Sequence, residues 1–100
     1  MKIPKSFKLF GTTINIVWDN TYCNSKSIYG EENYSKSRIT LSTTHGIEYL
    51  SKDKIMDTYY HEKVHSILSA MNEMGLNENE KFVDVFAKLL RQSDETAIYK

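Results

Sequence analysis

Residues 52–74 carry apolar side chains at Met56, Tyr60, Val64, Ile67 and Met71, three and four positions apart, and that spacing commits them to one long helix. Ile55, Tyr59 and Leu68 widen the same face. Ser51 is the expected N-cap, with Lys54 rather than an acid at the third helical position, so a full capping box is missing. Gly75 is the expected stop. Inside this helix stands His61-Glu62-Lys63-Val64-His65. Residues four apart sit one turn from each other on one face, so both imidazoles can reach a single ion. Glu62 points close to the same ion and can serve as a base for water held there. His61 and His65 lie one step around from Tyr60 and Val64, at the rim of the buried face. Packing holds a ligand histidine there while one side stays open.

A catalytic zinc takes three protein ligands and keeps a fourth position for water. The third ligand must come from another part of the fold. Fifteen residues after His65 stands Glu80, within Asn79-Glu80-Lys81-Phe82-Val83-Asp84. The stretch Leu76-Asn77-Glu78-Asn79 reads as a helix start, with Gly75 before it, asparagines to cap and acids for the first turn. Phe82, Val83, Val85, Phe86, Leu89 and Leu90 then form an apolar stripe of helical period. Glu80 and Asp84, four apart, share one face of this second helix. Glu78 competes with Glu80 as third ligand, but it belongs to the cap and points elsewhere.

His-Glu-x-x-His followed by Asn-Glu-x-x-x-Asp resembles the thermolysin-like zinc peptidases, the gluzincins, and the resemblance covers the second part of the chain. It implies one zinc per chain, held by His61, His65 and Glu80, with Glu62 as general base. It implies that Asp84 orients His61 from behind the metal, and Asn79 matches the family's asparagine. A metal-bound imidazole usually gives its free N–H to a carboxylate, which agrees with that role for Asp84. A small sheet followed by two helices is also similar to minimal zincin domains among small phage and bacterial metallopeptidase-like proteins. The activity implied is hydrolysis of peptide bonds in a peptide or protein substrate. Relatives of this kind bind the substrate as an added strand on the sheet edge beside the active helix, and here that edge is expected near residues 38–43. The alternative is a module that binds zinc and cleaves nothing.

Upstream, Phe7, Leu9, Ile14, Ile16 and Trp18 alternate with polar residues around Gly11-Thr12, which predicts a hairpin of 6–10 and 13–18. Residues 19–27 are rich in Asn and Ser and read as a loop. A second hairpin is expected from 28–34 and 38–42, turning at Ser35-Lys36-Ser37, with Thr43 or Thr44 ending the sheet. The tail after Gln92 is polar and expected to fray. The fold class is therefore α+β: one domain, residues 1–100, with a small, mainly antiparallel sheet packed on two helices.

The remaining chemistry-bearing residues read as structure. Tyr59 and Tyr60 belong to the core face, and His45 decorates a turn before Gly46. Cys23 is the single cysteine, so no internal disulfide forms, in keeping with a reducing, cytoplasmic setting. Lys+Arg and Asp+Glu number 13 each and no basic block occurs, which argues against nucleic acid. The apolar runs are too short for a membrane span.

Overall fold

A computed structural model of the chain describes residues 2–100. Four strands, β1 (Ser6–Leu9), β2 (Thr12–Trp18), β3 (Gly30–Asn33) and β4 (Arg38–Leu41), form one sheet in the order β1-β2-β4-β3. Two pairings are antiparallel, β1 with β2 and β3 with β4, while β2 and β4 run parallel, so the sheet is mixed. The first hairpin turns on Phe10 and Gly11, both at positive φ (50° and 78°), the two-residue turn that matches strand twist. Ile14, Ile39 and Leu41 are fully buried on the sheet.

Residues 19–27 are not the loop that their composition suggests. They contain a short helix, α1 (Asn20–Ser25), capped by Asp19, whose side chain accepts from the Tyr22 N–H at 2.9 Å. Local capping and the burial of Cys23 outweigh the polar composition. After β4 the sheet does not simply end: β5 (Thr44–His45) and β6 (Glu48–Tyr49) make a second, two-stranded sheet. Asn20 clamps the junction, accepting from the Thr43 N–H at 2.8 Å and the Ser42 hydroxyl at 3.0 Å.

The long helix, α2 (Lys52–Ala70), starts at the expected cap, where Ser51 Oγ accepts from the Lys54 N–H at 3.0 Å. It ends earlier than expected, because Asn72 takes the left-handed conformation (φ 57°) assigned to Gly75. The Asn72 N–H bonds the Ser69 carbonyl and the Glu73 N–H bonds the Leu68 carbonyl, closing the helix C-terminus; asparagine tolerates this backbone nearly as well as glycine. Met71 is consequently half exposed instead of in the core. A one-turn helix, α3 (Met74–Asn77), which includes Gly75, carries the chain around the corner to α4 (Glu80–Thr96).

The sheet's Ile14, Ile39 and Leu41 meet Tyr59, Tyr60, Val64 and Leu68 of α2, and Val83 and Ala87 of α4 complete the cluster. The stripe expected on the second helix is split. Val83 faces inward, while Val85, Phe86 and Leu89 remain 48%, 46% and 61% exposed, because α2 covers a narrower arc than the stripe spans. The end of α4 does not fray at Gln92: Arg91 donates to Asp53 Oδ1 at 2.8 Å and ties the helix to the start of α2. The edge beside α2 is not the expected stretch 38–43: residues 38–41 form β4, which is bonded on both sides, and the edge is β3.

Candidate metal centre

α2 is locked in rotation by Tyr60 and Val64, which are almost fully buried. That rotation turns His61 and His65 to the rim, with ring centroids 4.9 Å apart. Across the corner, Asn79 caps α4 by accepting from the Phe82 N–H at 3.0 Å, which makes Glu80 the first helical residue. From there Glu80 reaches both histidines. His61 Nε2 lies 3.2 Å from Glu80 Oε2, and His65 Nε2 lies 3.3 Å from Glu80 Oε1. One donor atom from each of the three residues can be chosen so that all lie within 4.8 Å of one another.

The three residues therefore stand close enough to share one ion, although each histidine faces a different oxygen of Glu80. Two nitrogens and one carboxylate form a zinc donor set, and the exposed side of Glu80 leaves room for a further ligand. The three expected ligands are thus brought together.

The support behind the histidines differs from expectation. Asp84 Oδ1 is 3.9 Å from His61 Nδ1, too far for a hydrogen bond. The Asp84 carboxylate instead receives the Lys88 amine on both oxygens at 2.8 Å, and this contact holds its pKa below the usual range. The close support falls on the other ring: His65 Nδ1 is hydrogen-bonded to Oδ1 of Asn77, a nearly buried residue on α3. Asn77 was legible only as a capping residue. Its signal was position, one turn before Glu80 on the corner that joins the helix of His61 and His65 to the helix of Glu80. Glu78, its neighbour, is exposed and, among the described residues, joins no group that could hold a metal ion.

Glu62 is half-buried between α2 and β3. Burial raises its pKa from 4.5 to about 7, with the neighbouring His65 pulling the other way. His61 and Glu62 line a cleft of about 380 Å³ that runs toward the start of α2. Ser27, Ile28, Tyr29 and Gly30 form one wall, and Lys54, Asp57 and Thr58 of α2 form the other, with Asp84 at its side. The Lys54 amine lies 4.2 Å from the Tyr29 ring centroid, spanning the two walls.

The other candidates lie elsewhere. Cys23 is the buried residue of α1, and burial raises its pKa, while the His45 ring lies tilted beside Tyr29 at a centroid distance of 5.0 Å. Tyr59 and Tyr60 are core residues; the Tyr60 hydroxyl donates to Asp94 at 2.7 Å, away from the ligands.

Comparison with protein families, curated proteins and solved structures returns no match. Among the described residues, no helix is long and apolar enough to cross a membrane.

Proposed function

We propose that this chain is a zinc-dependent peptidase. The observation that carries the reading is the convergence of His61, His65 and Glu80, with His61 and Glu62 lining the adjoining cleft. When bound, zinc supplies a Lewis acid and a water acidified toward neutrality. His61, His65 and Glu80 hold the ion. Glu62 takes the proton from the attacking water and passes it to the leaving nitrogen, the two transfers that a carboxylate lining the cleft beside the ligands can make. A glutamate so placed beside three ligands favours the hydrolytic reading over a purely structural site.

The substrate lies along β3. Tyr29 O accepts from the Ser42 N–H at 3.2 Å, so by the alternation of an antiparallel ladder Gly30 and Glu32 turn their backbone groups away from β4. An extended peptide can bond to that edge while the cleft takes a side chain.

Zinc content by elemental mass spectrometry tests the site, on protein purified without chelators, with His61→Ala, His65→Ala and Glu80→Ala in parallel. About one zinc per chain is expected in the parent, lost or greatly weakened in each variant. Metal content unchanged by the histidine substitutions overturns the reading. Metal retained with no cleavage of a peptide library identifies a binding module instead.

A further inference from the structure

Glu32 is half-buried on β3 and takes no part in the chemistry described above, yet its carboxylate leads to the site. Its Oε1 accepts from the Ser69 hydroxyl at 3.2 Å and from the Tyr34 N–H at 3.0 Å. Ser69 Oγ in turn accepts from Asn77 Nδ2 at 3.0 Å, and Asn77 Oδ1 meets His65 Nδ1.

Donor counting gives this chain a single direction once the ion is placed. With His65 Nε2 turned to the metal, Nδ1 must carry the ring proton. Asn77 then accepts through its oxygen and can only donate through its amide nitrogen. Ser69 accepts that bond and has one hydrogen left to give, so the chain must end on an acceptor. The Glu32 carboxylate is that acceptor. A neutral asparagine therefore stands against the ligand histidine, while the negative charge that usually backs such a ring comes from an edge strand two residues further along the relay.

We propose that Glu32 is a positioning residue for the metal site. Its carboxylate ends the relay that orients His65 and sets its tautomer. This rests on the zinc reading. It also places that support on the strand along which the substrate is expected to bind.

The test is zinc affinity, measured by competition with a chromophoric chelator, with thermal melts of the metal-free proteins as a folding control. Asn77→Ala is expected to bind zinc about 10–100-fold more weakly, and Glu32→Ala about 10-fold. Because the relay is serial, the double variant should lose no more than Asn77→Ala alone. Glu32→Gln keeps an acceptor oxygen and should recover most of the affinity. Ser69→Ala breaks the relay with Glu32 itself left in place and should match Glu32→Ala, which covers the case in which Glu32→Ala folds poorly. Parent-like affinity in Ser69→Ala, or additive losses in the double variant, removes the role of Glu32 and leaves the zinc reading standing. A parent chain that takes up no zinc overturns both.

Discussion

Gly30 packs against Thr58 so closely that a Cβ atom at Gly30 would fall 2.7 Å from Thr58 Cγ2, with Leu41 Cδ2 at 3.0 Å and the Thr40 carbonyl oxygen at 3.1 Å. The absent side chain is what allows β3 to lie against α2, and both residues line the cleft. The contact thus sets the distance between the cleft walls.

Gly30→Ala should therefore cost about 1–3 kcal/mol, the usual range for overpacking, read as a lower urea midpoint. Thr58→Ser in the same chain removes Cγ2 and keeps the hydroxyl that donates to the Lys54 carbonyl at 2.8 Å. It should restore part of the loss. A midpoint unmoved by Gly30→Ala would mean that strand and helix separate at no cost.

Glu62→Gln should retain zinc and lower peptide hydrolysis by roughly 10²-fold or more. It also has a stability signature in the metal-free protein. Folding raises the Glu62 pKa from 4.5 to about 7, so the folded state binds this proton more tightly than the unfolded chain. The associated stability is fully present below about 4.5 and is lost as pH rises through about 7. At pH ~8 the metal-free glutamine variant should be more stable than the parent by up to about 3 kcal/mol, and the advantage should vanish in acid. Denaturant melts across that range check the sign; an advantage that grows in acid contradicts it.

Asp84→Ala should weaken zinc binding by less than about 10-fold, below the usual range for a partner that orients a metal-bound histidine. The reason is the 3.9 Å separation from His61 and the competing Lys88 amine. A loss larger than that of Asn77→Ala, in the same chelator competition, would place Asp84 in direct contact with the ring.

Ser66 is fully buried, and its hydroxyl has no hydrogen-bond partner among the described residues. Desolvating an unpaired hydroxyl is costly, and alanine is the better helix former. Ser66→Ala should raise stability by about 1 kcal/mol, seen as a higher melting temperature. A destabilised variant would point to a partner for the hydroxyl.

Much of the α+β fold was legible from periodicity. The spacing of Met56, Tyr60 and Val64 defined α2 and its buried face, and alternation around Gly11 defined the first hairpin. The grouping of His61, His65 and Glu80 was legible because the two histidines share one helix face and Asn79-Glu80 opens the next helix. What was not legible depends on contacts between distant segments. The parallel pairing of β2 with β4 makes β3 the edge, and nothing within residues 38–42 announces that a neighbour covers each side. Asn77 looked like one more capping residue, since its partner lies on another helix. Asn72, not the glycine three residues later, ends α2, because both residues can adopt the required backbone.

His65 and Glu80 are fifteen residues apart in the chain, and the corner at α3 lies wholly between them. A metal bound to both therefore closes a small ring of polypeptide, as a covalent cross-link would, and its binding energy is folding energy for that ring. Opening of the ring and escape of the metal become one event. Stripping the metal should then loosen the α3 corner and the start of α4 while the sheet stays intact, so amide exchange at these residues doubles as a clock for metal release.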